Sequence, residues 1–169
     1  MVWFDAHADL NTPSTTPTGY LGGLALSGPL GWWNSGLGAG LQPRNAVLVG
    51  VRDVDTHEKQ LIDNSEVALI RIGTDLPHEL RRIIDGRPTY IHIDCDVMEP
   101  GVVLTDYSIP NGLTPSQLND AATALADSEI IGLELGEFEA TTDTAAAASA
   151  EILFTALKPV LNKLQRINT

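Results

Sequence analysis

The chain has 169 residues, 43 % of them hydrophobic, and 22 acidic against 10 basic side chains give it a formal charge of −12. That length fits a single domain over 1–169 with room for a real core, and the charge excludes a nucleic-acid surface, which needs clustered Lys and Arg. No apolar stretch reaches membrane-spanning length, the first residues lack the pattern of a secretory signal, and the single cysteine, Cys95, excludes an internal disulfide framework, so a cytoplasmic protein with no membrane partner is expected.

The first predicted element is the strand VWFDA at 2–6, in which Val, Trp and Phe run into Asp5, His7 and Asp9 at every second position. In an extended strand, residues i, i+2 and i+4 share a face. The spacing therefore predicts three metal-type ligands together at the carboxyl end of a buried strand. A helical pattern follows at 20–33, then the strand NAVLVGV at 45–51, a helix at 56–64 and the strand VALIRIG at 67–73. A helix at 77–85 precedes the strand TYIHIDCDV at 89–97. The next helix, 114–127, opens with Thr114 as N-cap, Pro115 at its first position and Gln117 placed for a capping box. The strand IIGLELGEF at 130–138 and a helix near 145–165 complete the series. Near-continuous apolar runs rich in Val and Ile mark strands buried on both faces. Their alternation with helices predicts a three-layer α/β/α fold around a five-stranded parallel sheet, with ligands bound beyond the carboxyl ends of the strands.

The fourth strand ends in HIDCDVMEP, where Asp94 and Asp96 share one face and Cys95 points the other way as a small buried residue. Two carboxylates side by side on a buried strand repel unless they are protonated, hydrogen-bonded or bridged by cations. With Asp5, His7 and Asp9, five ligands converge on one end of the sheet. Carboxylate-rich sets with one imidazole favour Mn²⁺ or a similar ion over thiolate-held zinc. One ion needs at most four such ligands, so five indicate a pair sharing bridging carboxylates. Two ions roughly 3.5–4 Å apart can hold a water between them and lower its pKa towards neutrality.

The segments DAHADLNTPSTTPTG, VGVRDVDTHE, HIDCDVMEPG, PNGLT and LELGEFEA, in this order, cover nearly the whole chain. They resemble the ureohydrolase family of arginases, agmatinases and formiminoglutamases, with arginases the nearest match. The resemblance implies an arginase-like fold, a dimanganese centre and hydrolysis of a guanidino C–N bond in arginine or a related small molecule. It implies that Asp5 and Asp94 bridge two Mn²⁺ ions, that His7 and Asp96 complete one, and that Asp9 binds the other and orients the attacking water. Asp9 and Glu137 become the catalytic candidates, Glu137 as the carboxylate that grips the guanidinium. Asn11 and Thr18 fall where arginases hold the substrate α-carboxylate, and Asp55 and Glu58 where they reach the α-amino group. Read on their own, Asn11 and Thr18 are turn residues and Asp55 is a helix N-cap.

The sequence departs from the family pattern at two places. Family members carry a segment ahead of the DAHxD motif whose His completes one ion, and this chain starts just before the motif. One of the two cation sites is therefore expected to be incomplete and weaker. The family also places a proton-shuttling His in the motif GNLHG, whereas this stretch reads GYLGG with Gly22 at that position. A lost shuttle costs about a hundredfold to ten-thousandfold in rate, so weak activity is expected, which Gly22→His would raise. The alternative is a non-catalytic, metal-binding subunit that pairs with another chain. His92 is read as a packed histidine, and His57 and His78 as surface residues at helix starts. In the implied sheet order 5-4-1-2-3, the strand 130–138 lies at an open edge without Pro or Lys, which invites pairing. A homo- or hetero-oligomer is expected.

Overall fold

The computed structural model describes residues 1–64 and 66–167. Its sheet contains β1 (Val2–Phe4), β2 (Val47–Val49), β3 (Ala68–Ile70), β4 (Thr89–Asp94) and β5 (Ile130–Gly136), all parallel, in the order β3-β2-β1-β4-β5. The helices are α1 (Thr56–Asp63), α2 (Leu76–Ile84), α3 (Pro115–Leu125) and α4 (Asp143–Ile167). The expected five-stranded α/β architecture and strand order are present.

Alternation along the strands divides the core in two. Val2, Phe4, Ile91 and Ile93 face α2, α3 and α4, where Leu80, Leu118, Ala122, Leu157 and Val160 meet them. Trp3 and Leu48 face the opposite side and pack with Leu10, Leu26, Leu30 and Val67, backed by Leu61 and Ile62 of α1. Each fully buried large side chain, such as Phe4 or Leu48, contributes about 1.5–3 kcal/mol relative to exposure. The register pairs Trp3 with His92 and Phe4 with Ile93. The next residues up the two central strands are Asp5 and Asp94, so the acids lie side by side at the carboxyl end of the sheet centre.

Three expectations need correction. The helix predicted over 20–33 is absent: only Gly22–Leu24 forms a 3₁₀ turn, and the rest is a chain of turns. Gly28, Pro29 and Gly31, the last at φ 74°, break any continuation, while Leu24, Leu26 and Leu30 are still buried. An irregular segment thus covers the sheet face beside α1. Secondly, β1 stops at Phe4, so Asp5, His7 and Asp9 are not consecutive on one strand face. Thirdly, α4 is long and apolar enough, by length and composition alone, to cross a membrane. One side of it, with Leu153, Ala156, Leu157 and Val160, is buried in the core shared with α3.

Candidate metal centre

Asp5, Asp94 and Asp96 are each aimed by a backbone or ring donor close to them. His7 N–H donates to Asp5 Oδ1 at 2.7 Å, and Trp3 Nε1–H donates to Asp5 Oδ2 at 3.0 Å. Ala6 N–H donates to Asp96 Oδ1 at 3.0 Å. After β4 the chain tightens into a 3₁₀ turn, Cys95–Val97, with Asp94 as its N-cap: Asp94 Oδ1 accepts from Asp96 N–H at 2.9 Å. Cys95 is buried in the core on the α3 side, away from the acids. Asp9 takes φ 54°, a left-handed conformation that Asp tolerates better than most residues. Its carbonyl there accepts from Leu26 and Ser27 N–H, at 3.1 and 3.0 Å. A turn rather than strand alternation therefore brings Asp9 back to Asp5.

Asp5, His7 and Asp96 form one set whose ligand atoms all lie within 4.8 Å of one another, and Asp5, His92 and Asp94 form a second. Asp5 belongs to both. His7 Nδ1 is 2.9 Å from Asp96 Oδ2 and 3.4 Å from Asp5 Oδ1. Hydrogen bonds to Asp5 and then Asp96 raise the His7 imidazole to about 11, so its proton lies between two carboxylates, as a cation could. Burial, then the neighbouring Asp5, raises Asp94 to about 8. Burial also pushes Asp5 upward, and with the Asp5 charge it carries Asp9 well above the ordinary carboxylate range. Asp96 goes the other way, because hydrogen bonds from His7 and Ala6 outweigh its burial.

A cavity of about 340 Å³ opens above these acids and is also lined by Asn11, Thr18, Asp55, Glu58 and Glu137. All the residues singled out in the sequence thus border one space. Asn11 Nδ2 donates to Asp55 Oδ2 at 2.7 Å. Asp55 is also the N-cap of α1, and its N–H donates to Glu58 Oε2 at 2.9 Å, while Leu10 N–H donates to Glu58 Oε1 at 2.9 Å. The capping reading and the pocket placement hold together, since the cap fixes Asp55 against Asn11. Thr18 is exposed and its Oγ1 accepts from Tyr20 N–H at 3.2 Å. Glu137, at φ 50°, follows β5 and accepts from the Tyr20 hydroxyl at 3.1 Å.

Several neighbours of the centre were not among the sequence candidates. Tyr20 lies over Gly22, so that a Cβ on Gly22 would collide with its ring, at 2.9 Å from Cζ. Tyr107 sets its ring edge-on to His7 at 5.4 Å between centroids. Arg52 ties the segment just after Tyr107 to the turn after β4. Its guanidinium donates to the carbonyls of Gly50 (3.0 Å), Asp96 (2.8 Å), Ile109 (2.8 Å) and Pro110 (3.0 Å). His92 is packed as expected, stacked on Trp3 at 3.5 Å, and it also belongs to a ligand set. His57 is half-buried on α1, and His78 is exposed on α2.

A sequence model of the arginase family matches residues 1–158. The N(omega)-hydroxy-L-arginine amidinohydrolase of Streptomyces lavendulae is 44 % identical over 150 residues, covering 89 % of this chain and 55 % of that protein. The arginase of Bacillus caldovelox is 29 % identical over 150 residues, covering 78 % of this chain and 49 % of that one. The solved native structure of that arginase aligns over 92 % of this chain and 58 % of its own, with a TM-score of 0.81 at 26 % identity. The crystal structure of Bacillus cereus arginase aligns over 92 % and 61 %, with a TM-score of 0.80 at 26 % identity. The chain spans about half the length of these curated relatives, 55 % and 49 %. With its fold, its paired Asp motifs and this match in common, the chain belongs to the arginase family.

Proposed function

We propose that this protein is a Mn²⁺-dependent hydrolase that cleaves the guanidino C–N bond of an arginine-type amino acid, with low turnover. The observation that carries this reading is the convergence of Asp5, His7, Asp9, Asp94 and Asp96 beneath a cavity whose rim offers Asn11, Asp55 and Glu137. The donor set suits hard divalent ions, being carboxylate with imidazole and no thiolate. Asp5, Asp9 and Asp94 are pushed towards their neutral forms, as expected of a cluster built for counter-charge. These five residues would hold the ions, which when bound lower the pKa of water and polarise the guanidino carbon.

The chain's own residues supply the rest. Glu137 at the rim presents a carboxylate to a planar guanidinium, a pairing favoured by two parallel charge-assisted hydrogen bonds. The Tyr20 hydroxyl positions that carboxylate. Asn11 and Asp55, already bonded to each other, offer donor and acceptor atoms to the amino-acid end, with Glu58 locking the turn beneath them. Buried Asp9 holds a proton or releases it within the cluster. No imidazole stands at position 22 to protonate the leaving amine. Burial, then its bond to Glu137, raises the Tyr20 phenol to about 12, so it is a weak proton donor at neutral pH.

The relative in Streptomyces lavendulae is an N(omega)-hydroxy-L-arginine amidinohydrolase, which puts that compound beside L-arginine as the first substrates to assay. With saturating Mn²⁺, ornithine release is expected from at least one of them, with urea or hydroxyurea as co-product. Absence of ornithine from both, with metal bound, would overturn the reading. Glu137→Gln is expected to lower kcat/KM about tenfold to a hundredfold, because a neutral amide replaces the charge-assisted contact. An unchanged kcat/KM would remove Glu137 from the substrate site.

The collision at position 22 modifies the expectation for Gly22→His. A new side chain there must turn Tyr20 away and break its bond to Glu137. Gly22→His alone should therefore gain little, while Gly22→His with Tyr20→Ser should raise kcat about tenfold to a hundredfold. The comparison is kcat of the single and double variants at saturating Mn²⁺. A single variant faster than the double would show that Tyr20 does not occupy the shuttle's space.

A further inference from the structure

Within the metal reading proposed above, the position served by Asp5, Asp9 and Asp94 has only carboxylates among the ligands expected from the sequence. We infer that His92 supplies the imidazole of that second cation site, through Nε2, with Glu134 as its positioning residue. Three observations carry this inference. His92 Nδ1 lies 2.7 Å from Glu134 Oε1. A carboxylate only accepts, so the ring proton belongs on Nδ1 and the Nε2 lone pair is left free. A carboxylate that fixes the tautomer in this way is the usual outer partner of a metal-bound histidine. His92 is 9 % exposed, and its Nε2 is buried with no hydrogen-bond partner among the described residues. An orphaned nitrogen of this kind is costly to keep in a core unless something binds it. Finally, a His92 ring nitrogen and oxygens of Asp5 and Asp94 lie within 4.8 Å of one another, the spread of atoms that can share one cation.

The surroundings hold the ring in that pose. Trp3 stacks on it at 3.5 Å with 13° between planes, and the same indole donates to Asp5 Oδ2. One tryptophan therefore aligns two members of the set. Gly136, the residue of β5 paired with Asp94, leaves room at the ring's outer edge: a Cβ there would stand 3.4 Å from His92 Cε1. The two cation positions then each have one imidazole, His7 and His92, and share Asp5.

The test is Mn²⁺ binding to the 169-residue protein by calorimetry and elemental analysis, read with pulsed electron paramagnetic resonance. Wild type should take up two ions. His92→Gln should keep one at unchanged affinity and weaken the other more than about tenfold. Glu134→Gln should weaken the same event by about tenfold to a hundredfold. In His7→Asn loaded with a single Mn²⁺, a ¹⁴N coupling from bound imidazole should persist, and it should vanish when His92→Gln is added. Circular dichroism and melting curves identify any variant that fails to fold, and His7→Asn still reads the ligand directly. Two ions bound as tightly in His92→Gln as in wild type, or no nitrogen coupling in His7→Asn, overturns the inference alone. A wild-type chain that binds no Mn²⁺ overturns the metal reading and the inference with it.

Discussion

Asp94→Asn is expected to lower the proposed hydrolysis more than about a hundredfold and at the same time to raise the melting temperature of the metal-free protein at pH 8. Both effects come from one carboxylate. Asp94 is 8 % exposed and stands close to Asp5, which follows the neighbouring strand, and burial followed by that charge raises it to about 8. Around pH 8 it is therefore half ionised against its surroundings. Asn removes the charge and keeps the oxygen that caps the Cys95–Val97 turn by accepting from Asp96 N–H. Alanine would lose that cap, which is worth about 1 kcal/mol, and would blur the comparison. The expected gain is about 1–2 kcal/mol, or roughly 2–8 °C for a domain of this size. Function loses what stability gains, the usual trade at a strained site. Scanning calorimetry with chelator, beside an ornithine assay, reads both. Wild-type turnover in Asp94→Asn would take Asp94 out of the centre, and a lower melting temperature would mean that its neighbours stabilise the anion.

The second large effect is a reversal of pH dependence by Mn²⁺. Asp94, Asp5 and Asp9 are raised in the folded state, so they bind protons there that the unfolded chain has already released. Such groups contribute stability that is full below the unfolded value of about 4 and is lost as pH rises through the folded value. His7 adds to this slope. Its folded value of about 11 exceeds the unfolded 6.5, so its contribution is present below pH 6.5 and lost as pH rises towards 11. Asp96 is depressed, so its contribution is present above pH 4 and lost only on acidification below that. Between pH 6 and 8 the metal-free protein should lose about 2–4 kcal/mol, seen as a fall in melting temperature of roughly 5–15 °C. Mn²⁺ held by these residues would compete with those same protons and bind better as they leave, so its stabilisation is expected to grow over this interval. A metal-free melting temperature that rises from pH 6 to 8, or a Mn²⁺ effect that shrinks, would contradict the cluster's protonation.

The sheet was legible because its signals are local and redundant. Val- and Ile-rich runs separated by helical patterns mark parallel strands covered on both faces, and the Thr114 capping box marks the start of α3. The segment 20–33 was misread because its leucines recur at helical spacing, while Gly28, Pro29 and Gly31 prevent the helix that would explain the spacing. Burial and backbone preference disagree there, and burial is met by turns. The acids proposed for the centre do border one cavity, but strand alternation does not account for Asp9: a left-handed φ, invisible in a pattern of alternation, returns it to Asp5. His92 was read as a packed residue and does pack on Trp3, but its bond to Glu134 was not legible, because the two residues meet across neighbouring strands and lie far apart in sequence. Tyr20 was passed over for the same reason. What it does depends on Gly22 leaving room for its ring, and on a glutamate 117 residues downstream.

The Arg52 clamp has a consequence for how fast a ligand arrives. All of its guanidinium hydrogen bonds among the described residues go to main-chain carbonyls, so this cation fastens the loop through the backbone, while its charge also acts on Asp96, Glu99, Asp5 and Asp53. The rim carboxylates Asp55 and Glu137 take no hydrogen bond from it among the described residues, and the net charge of −12 adds to their negative field. A concave, low-dielectric site of one sign focuses that field outward and draws in cations ahead of contact. Association of a positively charged guanidino compound should accordingly slow as ionic strength rises and the Debye length shrinks from about 30 Å at 0.01 M to about 8 Å at 0.15 M. An uncharged urea-type analogue of the same shape would meet the site at a rate indifferent to salt.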